Sequence, residues 1–379
     1  MSTVAEFIKT NLPLLRKTLK ELCLIPAPSG FEDERAAYCK AFFDSIGARE
    51  AYIDEAKNVI YPFCCEGSDA ITVVVAHTDT VFPDREPMPY REENGKILCP
   101  GSGDDTAGLV CMLYAVKYLL ENGKKAPHGI LFVANSCEEG LGNLRGTRAV
   151  MQAYGDRVKQ FLSLDSHIRK IADKCVGSHR YEVECATVGG HSYLAFGNRN
   201  AALSLAEMIS AIYKIDIPQK EGAKTTVNVG MIEGGTSVNT IPQSARMLCE
   251  YRSSDEECLA YMQKKFEEIF AAADCEHTKV TVRRVGERPC AGKVDEGDLD
   301  RLRRICSTVV EQAAGFAPAF ESSSTDCNIP LSMGIPAICV GAYAGGGAHT
   351  REEYVEIDSL PVGMEIAINV ISEIAEVVG

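Results

Sequence analysis

Imidazole and carboxylate side chains recur along this chain at positions that could gather a divalent cation: His77, Asp79, Asp104, Asp105, Glu138, Glu139, Asp165 and His349. Nitrogen and oxygen donors in that mixture suit Zn²⁺, with Mn²⁺ or Co²⁺ as alternatives. Each group also has a plainer reading. His77-Thr78-Asp79 can be a hydrogen-bonded turn, and Asp104-Asp105 can cap a helix beginning near Ala107. Glu138-Glu139 can be a solvated acidic turn, Asp165 a turn residue, and His349 a surface residue in the small-residue loop Gly345-Gly-Gly-Ala-His349. What strains these readings jointly is position. All five elements fall just past the carboxyl ends of predicted strands, where open α/β sheets place their ligands.

The elements that must position these groups show as periodicity. Helical patterns run over residues 3–23 and 31–47, separated by Pro26-Ala27-Pro28-Ser29-Gly30, in which Ser29 is placed to cap the second helix. Residues 71–76 are a β-branched run that predicts a buried strand, and a hairpin-like stretch surrounds Asn94-Gly95. The Gly-rich loop 101–108 leads into a helix over 107–122. Strands at 130–134 and 161–164 flank a helix near 145–154. This alternation predicts an α/β fold, a mixed sheet with helices on both faces.

The pattern changes near residue 178. Tyr181, Val183 and Cys185 alternate with Glu182 and Glu184, as a half-exposed antiparallel strand requires. A helix at 199–214, strands near 224–232 and 244–252, a helix at 254–273 and a strand at 277–286 complete the split βαβ order of a ferredoxin-like α+β module. After Gly292 the α/β pattern resumes, with a helix at 296–313 and apolar runs near 336–341 and 364–377. The expected organisation is one domain in two parts, 1–177 and 291–379, interrupted by an insert over 178–290.

Composition narrows the functional classes. The 379 residues are 46% hydrophobic and 24% charged, enough for two or three packed domains. Thirty-nine Lys and Arg against 53 Asp and Glu leave a net charge of −14, which repels a phosphate backbone. A nucleic-acid partner is not expected. No run of about 18 apolar residues is present to span a bilayer, and the first residues lack the apolar core of a signal peptide. Sixteen cysteines are scattered without a C-x-x-C pair, which reads as buried thiols in a reducing cytoplasm rather than disulfides or thiolate-held zinc.

The ordered motifs resemble the co-catalytic zinc peptidase family that includes peptidase T, glutamate carboxypeptidase, aminoacylase-1 and succinyl-diaminopimelate desuccinylase. The match runs along nearly the whole chain, through His77-Thr-Asp-Thr-Val81, Gly101-Ser-Gly-Asp-Asp-Thr-Ala-Gly108, Glu138-Glu-Gly140, Asp165, Gly189-Gly-His-Ser192 and Ala348-His349. Asn239-x-x-Pro242-x-x-Ala245, Glu250-Tyr-Arg252 and Ser324-Thr-Asp326 extend it. The resemblance implies two divalent metal ions, Zn²⁺ first, bridged by Asp104. His77 and Asp165 would complete one site, Glu139 and His349 the other. Asp79 would hydrogen-bond His77 and fix its tautomer. Glu138 would be the general base for a metal-shared hydroxide that attacks the carbonyl of a peptide or amide bond. The Asp104–Asp105 peptide is often cis in the family.

The same resemblance makes the insert a lid that also dimerises, so a homodimer is expected. His191 would reach an active site and donate to the developing oxyanion; its plainer reading is a surface residue beside a Gly-Gly turn. Arg252 and Asn239 are candidate substrate-binding residues, Arg252 through its planar fork. His167 stays outside the ligand set. Two departures stand out: Thr106 replaces the usual lysine after Asp-Asp, and Cys137 precedes the glutamate pair where threonine is common. Asp rather than Glu at position 165 favours an aminopeptidase or di/tripeptidase acting on a small peptide. An N-acyl-amino-acid deacylase or carboxypeptidase of the same family is the alternative, and a non-catalytic peptide-binding dimer is the alternative from another class.

Overall fold

A computed structural model of the chain describes residues 2–379. In chain order the elements are α1 (Val4–Cys23), α2 (Asp33–Ser45), β1 (Tyr52–Ile53), β2 (Val59–Phe63), β3 (Ile71–His77), β4 (Arg91–Glu93), β5 (Lys96–Leu98), α3 (Gly108–Glu121), β6 (Gly129–Asn135), α4 (Arg145–Tyr154), β7 (Val158–Ser163) and β8 (Lys170–Cys175). They continue with β9 (Gly177–Ala186), β10 (Gly190–His191), α5 (Ala201–Ile212), β11 (Thr225–Gly234), β12 (Thr240–Ile241), β13 (Ser244–Ser253), α6 (Glu256–Ala273) and β14 (Lys279–Arg288). The last are α7 (Glu296–Ala314), β15 (Ala319–Ser323), α8 (Asn328–Ser332), β16 (Ala337–Val340), β17 (Gly345–Gly346), β18 (Tyr354–Glu356) and α9 (Leu360–Ile374). Contacts divide the chain into two units, Met1–Cys175 with Gly292–Gly379, and Val176–Ala291.

The first unit is built on an eight-stranded mixed sheet in the order β1-β2-β6-β3-β7-β16-β8-β15. Its centre is parallel: β3 pairs with β6 and β7, and β16 with β7. Successive residues of β3 serve opposite faces, as a strand period of two demands. Val74 and Ala76 enter the cluster with α1, α3 and α9, while Val73 and Val75 enter the one on the other face with α4 and α8. Covered on both sides, the central strands read as continuous apolar runs. The register sets His77 beside Asn135, and Val75 beside Ser163, along one carboxyl edge. A second, antiparallel sheet in the order β17-β18-β5-β4 ties the end of the chain to the stretch before residue 101.

Four strands of the eight-stranded sheet escaped the periodicity, each for a visible reason. β1 has two residues, and β2 carries Pro62, which removes a ladder donor. β8 and β15 mix Lys170, Asp173, Lys174 and Glu321 into short segments, which masks any apolar run.

The second unit runs strand, helix, strand, strand, helix, strand around a sheet in the order β11-β13-β9-β14, every neighbouring pair antiparallel. Asn200 caps α5 by accepting from the Leu203 amide, and Asp255 caps α6 by accepting from Cys258. Both helices lay their apolar stripes on one face of the sheet, around Tyr181, Met247, Tyr251 and Phe266. All sixteen cysteines are free, and all but Cys64, Cys65 and Cys275 are buried. No helix among the described residues is long and apolar enough to cross a membrane.

Candidate dinuclear metal site

The carboxyl edge of the central sheet gathers the groups that the sequence singles out. The ligand atoms of His77, Asp104 and Glu139 lie within 4.8 Å of one another. Asp104 is the hub: its Oδ1 is 3.0 Å from His77 Nε2 and its Oδ2 is 3.0 Å from His349 Nε2. His349 Nε2 is also 3.2 Å from Glu139 Oε1. Strand β3 ends on His77, and the loop after β6 supplies Glu139. His349 hangs from the turn between β17 and β18. Asp165 follows β7 and is held through its backbone, whose carbonyl accepts from the Cys339 thiol at 2.7 Å.

Charge crowding marks the site. Burial and the Asp104 charge push the Glu139 carboxyl up to about 7, and the same two causes hold Asp165 well above the usual carboxylate range. Asp104 behaves oppositely: burial acts against it, yet His349 and His77 hold it low. His349 is pushed up to about 10 by Asp104 and Glu139. Among the described residues no lysine or arginine forms an ion pair with Asp104, Glu139 or Asp165. Converging carboxylates without a lysine or arginine counter-ion, joined by imidazole nitrogens, fit divalent metal ions.

Several contacts differ from expectation. The closest partner of His77 Nδ1 is the main-chain carbonyl of Asp79, at 3.0 Å; the Asp79 carboxylate is 3.4 Å away. A carbonyl only accepts, so Nδ1 carries the proton and Nε2 is the nitrogen turned to Asp104. The Asp79 carboxylate is occupied elsewhere. It accepts from the Glu138 amide at 2.9 Å, the Glu139 amide at 3.0 Å and the Ser29 hydroxyl at 2.6 Å. Ser29 is therefore not the cap of α2; Glu32 stands at that position, without a side-chain cap bond. Asp104-Asp105 is not a cap either. The two residues are joined by a cis peptide, Ala107 precedes α3 without a side-chain cap bond, and Asp105 Oδ2 accepts from the His77 amide at 2.9 Å.

Thr106, in place of the family's lysine, is bonded on both sides. It donates to Gly101 O at 2.5 Å and accepts from Arg35 Nη1 at 3.2 Å. Arg35 is fully buried and also donates to Ile25 O and Thr78 O. Nothing in the local sequence of α2 singles out this arginine. Asp326 is buried too, pushed up to about 7 by burial and then by Glu138, and accepts from Asn135 and Thr147. Glu353 has no local signal that separates it from the exposed Glu352, yet it is buried and accepts three main-chain amides of the Asp104 loop.

The other expected residues belong to the second unit. His191 is exposed in β10, its Nδ1 accepting from the Tyr193 amide at 3.2 Å. Arg252 closes its fork on Glu250, at 2.7 and 3.1 Å. Asn239 accepts from Ser237 through its side chain and from the Ser192 amide through its backbone.

Residues 73–373 match the model of peptidase family M20/M25/M40. The chain belongs to this family. With it, the protein is a metal-dependent peptidase or amidohydrolase. Succinyl-diaminopimelate desuccinylase of Corynebacterium glutamicum is 24% identical over 366 residues, 93% of this chain and 95% of that protein. Aminopeptidase PepT of Bacillus cereus shares the fold with a TM-score of 0.72 at 22% identity, over 96% of this chain and 99% of that one. A dinuclear metal-binding peptidase of the family from Bacillus subtilis superposes with a TM-score of 0.64 at 15% identity, over 97% and 98%.

Proposed function

We propose that this family member is a two-metal aminopeptidase or di/tripeptidase acting on small peptides. The observation that carries the reading is the division of Asp104, one oxygen toward His77 and the other toward His349. A carboxylate shared in this way is suited to bridging two cations, with His77 and Asp165 on one side and Glu139 and His349 on the other. Zn²⁺ is the proposed metal, Mn²⁺ or Co²⁺ the alternatives. The bound ions would supply Lewis acidity and an acidified water.

The chain's own residues do the rest. Asp79 pins the amides of both Glu138 and Glu139, so adjacent side chains take separate tasks. Glu139 would hold a cation, while Glu138 takes the proton of the attacking water and delivers it to the leaving amine. His191 donates to the developing oxyanion, and Arg252 with Asn239 recognises the substrate's polar ends, Arg252 after exchanging its Glu250 partner.

The insert is read as a ferredoxin-like lid that also forms a homodimer. Tyr193, Leu194 and Phe196 support this, being 83%, 81% and 89% exposed, an apolar tip that a second copy would cover. The free cysteines support a reducing, cytoplasmic setting.

Asp165 in place of Glu favours the aminopeptidase reading. Against it, the desuccinylase relative spans nearly the whole chain, which keeps an N-acyl-amino-acid deacylase as the second reading. The metal-replete protein should be assayed against free-amino tripeptides and against N-acetyl and N-succinyl amino acids. Cleavage of the tripeptides alone is expected; cleavage of only the acylated compounds overturns the assignment.

A further inference from the structure

The loop that carries Asp104 has a feature that the catalytic assignment leaves unused. Glu353 is 1% exposed, yet its carboxylate accepts from three successive parts of that loop. Oε2 takes the Gly101 amide at 2.6 Å, while Oε1 takes the Gly103 amide at 2.9 Å and the Asp104 amide at 2.8 Å. The Glu353 backbone joins in, its carbonyl accepting from the Cys99 amide at 3.1 Å. A carboxylate buried beside other carboxylates is costly unless its lone pairs are filled; here the filling groups are the main-chain donors leading into the hub of the site. The loop's other end is tied by Thr106, bonded to Gly101 O and Arg35.

We propose that Glu353 is a positioning residue for the metal centre, fixing the backbone from Gly101 to Asp104 so that both Asp104 oxygens stay aimed at His77 and His349. It touches neither substrate nor ligand atoms; it acts through the Asp104 main chain. Groups that orient a ligand typically contribute about 10- to 100-fold in metal affinity. The inference rests on the two-metal reading of Asp104.

Glu353→Gln places an amide nitrogen where one oxygen accepted, so at least one loop amide loses its acceptor. Zn²⁺ binding to metal-free protein, followed by calorimetric titration, should weaken about 10- to 100-fold, while circular dichroism of the metal-free variant matches wild type. Thr106→Val, which keeps shape but loses the hydroxyl, should weaken Zn²⁺ binding by a smaller factor, and it serves as the test if Glu353→Gln does not fold. Glu353→Gln binding Zn²⁺ within twofold of wild type overturns the proposal, as does unchanged binding by Thr106→Val when that variant is the only one that folds. A wild-type chain that takes up no Zn²⁺ overturns the two-metal reading itself, and this inference with it.

Discussion

His349 Nε2 and Asp104 Oδ2 stand 3.0 Å apart, so a loop near the end of the chain closes on a carboxylate whose other oxygen faces His77 Nε2 at the same distance. Asp104→Asn keeps the shape and removes the charge shared between the two imidazoles. Divalent-ion affinity should fall by more than about 100-fold, beyond the usual effect of an orienting neighbour. Metal analysis after gel filtration checks this; a full metal complement in the variant assigns the hub elsewhere.

Glu138 and Glu139 are adjacent and pinned by one carboxylate, yet their variants should fail differently. Glu138→Gln should retain metal and lose about 10²- to 10⁴-fold in kcat, the usual contribution of a general base. Glu139→Ala should lose metal, because its Oε1 shares His349 with Asp104. Paired measurements of metal content and turnover separate the two. An active Glu138→Gln protein moves the proton-transfer role to another group.

Chelation should abolish hydrolysis and lower the thermal midpoint together, since an ion bound only by the folded chain stabilises it. At a free concentration one hundred times Kd that linkage is about 2.7 kcal/mol. Readdition of Zn²⁺, Mn²⁺ or Co²⁺ should restore both, and the ion acting at the lowest concentration identifies the preferred metal. Activity that survives exhaustive chelation contradicts the proposed chemistry.

Away from the chemistry, Gly363 lets α9 approach the chain following β16. A Cβ there would lie 1.7 Å from Ala342 O, and a main-chain carbonyl cannot swing aside. Gly363→Ala should destabilise the fold by about 1–3 kcal/mol through overpacking. Calorimetric unfolding of the metal-free protein reads this, and an unchanged midpoint shows that the helix has room to shift.

The residue types that make up the site are legible in the sequence, because strand endings and residue types are local properties. The β-branched run ending at His77 and the apolar run ending before Asp165 announce both the sheet and the edge at which polar groups collect. The character of the first unit, an α/β layer with helices on both faces, follows from the same local periodicity.

What the sequence determined by itself was the kind of side chain at each strand end, and hence the class of chemistry. Only the tertiary structure decided which donor meets which acceptor. Ser29 turns to Asp79, 50 positions along, rather than to its own helix, and the Gly103 amide finds Glu353 across 250 positions. Glu352 and Glu353 are indistinguishable as letters, yet one is exposed and the other holds the Asp104 loop. The physical reason is reach: propensity and periodicity act over a few residues, whereas a buried carboxylate is satisfied by whatever the packed sheet and loops bring within about 3 Å.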